Sequence, residues 1–137
     1  MKTTRLPTLE EIEELTGFLT RLYAEGFSPI VSWDGGEGKD GSFSLPYPNY
    51  HSTVEEFFHT VAGEGWLDYE YNPEQAYQML KDENAIKTAS LAQIKTMLTF
   101  CVRGERFSDG HWGEMIEKGY IGRLLERLNE IKSGLLE

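Results

Sequence analysis

The sequence has a single cysteine, Cys101, so no disulfide can close within the chain and the fold must rest on packing. That suits a reducing compartment. No apolar run approaches the ~20 residues of a membrane-spanning helix, and no apolar core follows the charged start Met1-Lys2-Thr3-Thr4-Arg5. A cytoplasmic address without membrane contact is therefore expected. Basic residues are also scarce, 13 against 23 acidic ones, for a formal charge of −10. Such a field opposes non-specific binding to nucleic acid and to anionic lipid. The imbalance is local. Residues 1–83 carry 16 acidic and 5 basic side chains, a net −11, whereas residues 84–137 carry 7 and 8, a net +1. The C-terminal part thus has room for a basic patch. Repeats, low-complexity tracts and long linkers are absent, so residues 1–137 are expected to form one domain.

What is present is mostly helical punctuation. Thr8-Leu9-Glu10-Glu11 is a capping box, in which the hydroxyl and the carboxylate each satisfy a backbone N–H. Ile12, Leu15, Phe18, Leu19, Leu22 and Tyr23 then recur at helical spacing until Gly26. Ser52-Thr53-Val54-Glu55 reads as a second box, opening a helix through Val61 with Val54, Phe57, Phe58 and Val61 as its apolar face. Asn72-Pro73 starts a helix to about Lys81, after Trp66–Tyr71 as a short strand or an extended linker. Residues 82–89 read as a connection. Ser90-Leu91-Ala92-Gln93 is a third box, before the most regular stripe: Leu91, Ile94, Met97, Leu98, Cys101 and Val102. A short helix from His111 to Lys118 and a longer one from Tyr120 to about Lys132 follow. Between the first two helices the period changes. Phe27 to Trp33 and Phe43 to Leu45 alternate as strands around a polar glycine-rich loop, Asp34 to Gly41. The fold class expected is α+β and helix-rich, with about six helices and one small antiparallel β-hairpin over residues 27–45.

Several local patterns invite a chemistry they do not complete. Gly35-Gly36-Glu37-Gly38-Lys39-Asp40 lacks the glycine spacing and the hydroxyl of a phosphate loop, and Asp34 and Glu37 would repel phosphate. Asp34, Glu37 and Asp40 lack the spacing and closing glutamate of a calcium loop. Glu56 and His59 share a helical face, but a di-metal bundle needs that pair twice with further carboxylates. No metal or cofactor is expected. Cys101 sits in an apolar stripe, where a thiol is a small hydrophobe rather than a nucleophile.

The densest gathering of chemistry is Arg103-Gly104-Glu105-Arg106-Phe107-Ser108-Asp109-Gly110-His111-Trp112, between two helices. Ser108, Asp109 and His111 are too close in sequence to line up readily as a catalytic triad. Arg103 and Arg106 suit an anion fork beside the N–H groups that open the next helix. They equally suit structural pairs with Glu105, Asp109 or the acidic first half, and one charged loop is weak evidence for a site. The aromatic residues Trp33, Tyr47, Tyr50, Trp66, Tyr69, Tyr71 and Trp112 fall where regular helix is weakest. They read first as a cap on the core, and otherwise as a groove lining. The candidate ligand-binding set is Arg103, Arg106, Asp109, His111 and Trp112, with Trp33 and Tyr47. No catalytic residue is assigned.

Met97-Leu98-Thr99, Arg103-Gly104-Glu105-Arg106-Phe107, Gly110, Gly119-Tyr120-Ile121 and Leu125 together resemble a bacterial family of unknown function. Its signature is Leu-Thr-x-x-x-Arg-x-x-Arg-Phe-x-x-Gly. Phe43, Pro46-Tyr47 and Tyr50 are similar to its aromatic middle. The resemblance implies a small single-domain bacterial or phage protein and no activity. It marks Arg103, Arg106, Phe107 and Gly110 as signature positions.

The function expected is a non-catalytic binding or adaptor domain with a protein partner, a second copy of the chain included. One alternative is a small hydrolase or anionic-ligand enzyme in which Arg103, Arg106 and His111 converge on one concavity closed by Trp33 or Tyr47. Another is a helix-turn-helix nucleic-acid binder over residues 90–118. Charge disfavours the latter, because its reading helix would present Glu114 and Glu117.

Overall fold

The computed structural model describes residues 5–38 and 41–136. Thr8 caps α1 (Leu9–Thr16) as its spacing predicts. Its hydroxyl accepts from the Glu11 N–H at 3.2 Å, and the Glu11 carboxylate accepts from the Thr8 N–H at 2.9 Å. Arg5 grips the same carboxylate at 2.8 and 3.0 Å, and these bonds are the main cause that lowers the Glu11 pKa to about 2. The single helix expected to run to Gly26 is divided. α1 ends at Thr16 and α2 (Phe18–Leu22) begins after Gly17, where glycine weakens the helix. The buried stripe Ile12, Leu15, Phe18 and Leu22 nevertheless runs through both.

The hairpin lies later than residues 27–45. It consists of β1 (Ile30–Glu37) and β2 (Phe43–Tyr50), paired antiparallel from Ile30 with Tyr50 to Glu37 with Phe43. Pro46 and Pro48, which read as the end of the strand, are inside it, since the outer side of an edge strand needs no N–H donor. Lys39 and Asp40, on which the phosphate-loop and calcium comparisons turned, lie outside the described residues. The base of the hairpin rests on helices. A Cβ at Gly113 would meet Ile30 at 3.0 Å, and the Tyr50 and Trp112 rings are 5.3 Å apart.

Helix α3 (Ser52–Val61) is capped by His51 rather than by a box at Ser52. The His51 Nδ1 accepts from the Thr53 N–H at 3.1 Å, because β2 delivers the chain to the helix one residue earlier. Val54, Phe57, Phe58 and Val61 are all buried as expected, each worth roughly 1.5–3 kcal/mol of transfer from water. Trp66–Tyr71 is neither strand nor extended linker. The Trp66 and Leu67 N–H groups both return to the Gly63 carbonyl, a turn that drives Trp66 into the core. α4 (Pro73–Lys81) starts on Asn72 as read. The connection after it winds into α5 (Glu83–Lys87), because Asp82 accepts from two N–H groups at its start.

Ser90 and Gln93 form the capping box of α6 (Leu91–Arg103), which runs into a 3-10 turn, Gly104–Arg106. α7 (His111–Glu117) and α8 (Tyr120–Leu136) complete the chain, α8 extending one turn past Lys132. α6 packs against α3, α4, α7 and α8, and α8 also receives α1 and α5. Among the described residues the structure is helix-rich α+β with one two-stranded antiparallel sheet. The helices among these residues agree with the expected count of about six, with additions where the first divides and residues 83–87 wind. Among the described residues no helix is long and apolar enough to cross a membrane.

Candidate functional site

The segment between α6 and α7 is organised by Glu105, a residue without any distinguishing mark in the sequence. Its carboxylate accepts from the Tyr50 hydroxyl at 2.7 Å, the Trp112 N–H at 2.9 Å and the Gly110 N–H at 3.0 Å. It therefore closes the start of α7, where orphan N–H groups and the helix dipole favour an anion. Burial, and then the Glu105 hydrogen bond and charge, push the Tyr50 pKa well above that of free tyrosine. Trp112 is fixed by three neighbours. It stacks on Phe58 at 4.7 Å and 7°, tilts against Tyr50, and donates its indole N–H to the Val102 carbonyl at 2.9 Å.

Arg103, Arg106 and Trp112 come together around one cleft of about 450 Å³, shared with Ala62, Leu67, Val102 and Glu105. Structural pairing of these arginines does not occur among the described residues. Glu105 is committed to Tyr50 and two backbone N–H groups, and neither arginine has a carboxylate within ion-pair distance. Arg103 instead lies over the Tyr71 ring, 5.1 Å from its centroid.

The other four predicted residues stand apart from this cleft. His111 is turned into the core, against Phe100 and the Gly104 backbone. Burial lowers its pKa, and its Nε2 is left without a hydrogen-bond partner. The Asp109 side chain is exposed on the loop. Trp33 stands over Gly110, whose added Cβ would meet the indole at 3.2 Å, and Tyr47 lies on the hairpin opposite Asp34. The convergence of His111 with the two arginines, which the hydrolase alternative requires, is not found. Nor does Trp33 or Tyr47 line the cleft. Cys101 is wholly buried, and burial raises its thiol pKa far above the ordinary value. α7 shows solvent its Glu114, Glu117 and Lys118 side chains, with Lys118 held to Glu114 at 2.6 Å.

A second cleft, of about 410 Å³, was not foreseen. It is lined by Arg5, Asp68, Gln75, Gln93, Lys95 and Thr96 among others. Lys95 is buried, its ammonium donating to the Arg5 carbonyl, and desolvation lowers its pKa. The signal was available: a lysine four residues after Leu91 and three before Leu98 lies on the apolar side of α6. Asp68 sits beside it, accepting from the Thr96 hydroxyl at 2.7 Å while its N–H donates to Thr99. Among the described residues no group of three or more His, Cys, Asp or Glu side chains is placed to hold a metal ion.

A model of the family of unknown function DUF6508 matches residues 7–134, nearly the whole chain, and the protein belongs to that family. No curated protein and no solved structure matches it.

Proposed function

We propose that this is a non-catalytic binding or adaptor domain that takes a protein partner on its hairpin. One observation carries the reading. Val31, Trp33, Phe43, Leu45 and Tyr47 are 66%, 52%, 70%, 77% and 49% exposed, and Phe107 on the neighbouring loop is 85% exposed. So much aromatic and aliphatic surface on one short ribbon is uncommon in an isolated domain and characteristic of an interface. The base of the ribbon rests on the helices through Ile30 and Tyr50, and Trp33 reaches Gly110, while Val31, Phe43, Leu45 and Tyr47 are left for a partner to cover. Pro46 and Pro48 remove donors from the edge of β2, which leaves β1 as the edge open to a partner strand. Asp34 and Glu37 frame the apolar residues. A partner with cations at its rim therefore fits better than a second copy, which would bring the same carboxylates together.

The test is capture with wild-type bait and with a Phe43→Ser/Leu45→Ser double variant, whose changed side chains are exposed and whose melting temperature should match. Loss of a captured protein from the variant alone supports the reading. Equal capture by both baits, or by neither, refutes it. Light scattering over a concentration series separates a foreign partner from self-association.

A further inference from the structure

We propose that the Arg103–Arg106 cleft is a binding site for an oxyanion carried on a small apolar body, a carboxylate or a phosphomonoester. The chain has six arginines. Four make ion pairs: Arg5 with Glu11, Arg21 with Glu56, Arg123 with Glu83 and Arg127 with Glu130. The two that do not, among the described residues, line the same cleft. In a chain with 23 acidic side chains, carboxylates are not scarce, yet none forms an ion pair with either guanidinium among the described residues. Glu105 lies in the lining, but Tyr50 and the α7 backbone use its oxygens. Two forks of N–H donors are thus left for an external anion, for which arginine gives paired, parallel hydrogen bonds.

The rest of the lining selects what carries the anion. Ala62, Leu67, Val102 and Trp112 form an apolar wall, and about 450 Å³ falls within the range of small-molecule sites. Trp112 is a rigid wall, held by Phe58, Tyr50 and the Val102 carbonyl. Arg103 is pre-positioned on Tyr71, whereas Arg106 is exposed and free to close over a ligand. The formal charge of −10 opposes extended polyanions, so the fit is to a compact anion rather than to nucleic acid. This site is separate from the hairpin surface and does not depend on a protein partner.

The experiment follows the Trp112 indole N–H resonance in proton–nitrogen spectra during titration with phenyl phosphate, benzoate, inorganic phosphate and benzyl alcohol. Saturable shifts with phenyl phosphate or benzoate are expected, weakening as salt is raised. Whichever saturates first identifies the head group. Arg106→Gln should weaken binding roughly tenfold, the effect of losing a charge-assisted bond. Arg103→Lys should weaken it less than Arg103→Gln, with melting temperatures confirming that each variant is folded. No shift with either aromatic anion overturns the proposal. So does an undiminished shift in an Arg103→Gln/Arg106→Gln double variant, or binding of benzyl alcohol or inorganic phosphate as tight as that of phenyl phosphate.

Discussion

Tyr50 donates its hydroxyl to the Glu105 carboxylate at 2.7 Å, joining the end of β2 to the turn that opens α7. The same carboxylate holds the Gly110 and Trp112 N–H groups, and Trp112 in turn touches both the core and the arginine cleft. The hairpin and the cleft therefore share one rigid element. The arginines are left outside this network. Removing them should spare the fold, whereas removing Glu105 should not.

Glu105→Gln tests this directly. The amide offers one acceptor oxygen where the carboxylate offers two, and its NH2 group would face a backbone donor. A loss of about 1–3 kcal/mol is expected in urea unfolding. Hydrogen exchange should accelerate at the Gly110 and Trp112 amides. Tyr50→Phe removes only one donor and should cost less. In a double-mutant cycle the two should be coupled, since they share a bond. Independent, additive effects would mean that the hairpin is not held through this pair.

Gly104→Ala should be destabilising for a reason unrelated to helix propensity. The added methyl group would fall within the His111 imidazole, which is buried against Phe100 and cannot swing away. Overpacking of this kind costs about 1–3 kcal/mol. Adding His111→Ala to Gly104→Ala should then cost much less than His111→Ala alone, measured by thermal or urea unfolding. Equal costs in both backgrounds would show that the turn relaxes elsewhere.

His111 also predicts an acid-side loss of stability. Burial lowers its folded pKa below 6.5, with the Phe100 backbone, Glu105 and Glu114 only partly opposing the shift. Between the folded pKa and 6.5 the unfolded chain binds the extra proton, so stability rises with pH across that window and falls on acidification through it. Glu11, with a folded pKa of about 2 against 4.5, adds a separate loss at lower pH. In His111→Phe the decline on acidification just below pH 6.5 should flatten, while the deeper acid transition remains. An unchanged slope just below pH 6.5 would assign the loss to other groups.

The sequence announced elements whose cause is local and concealed contacts whose cause is not. Thr8, Asn72 and Ser90 start helices through side chains acting within three residues, so their positions were legible. The α3 cap was misassigned because His51, which is not a usual capping residue, takes the role by virtue of where β2 ends. The α1–α2 break at Gly17 and the turn at Trp66 depend on what each segment packs against. Of the site, Arg103, Arg106 and Trp112 were legible as chemistry clustered in one loop. Their common cleft was not, because Ala62 and Leu67 arrive from the far side of α4, α5 and α6 in the chain. Glu105 could not be singled out either. Its decisive partner, Tyr50, is 55 residues distant, and nothing in a glutamate's neighbours reveals which donors it will meet.

Lys95 is the remaining ionisable group whose place runs against its chemistry. It lies on the buried side of α6 with the ammonium on the Arg5 carbonyl, and desolvation lowers its pKa although Asp68 and Glu11 pull it up. Methionine keeps the length and apolar stem without the charge. A buried ammonium carries a desolvation cost that packed hydrocarbon does not. Lys95→Met is accordingly expected to hold or raise the melting temperature near neutral pH. Its advantage should shrink as pH rises. Between the folded pKa and 10.5 the unfolded wild-type chain binds the extra proton, so wild-type stability gains with pH there and the variant lacks this contribution. Tyr23 and Tyr50 titrate alike in both proteins and cancel from the difference. A Lys95→Met protein that is strongly destabilised at neutral pH would show instead that the bond to Arg5, which fastens the N-terminal segment over α6, outweighs the desolvation of the ammonium.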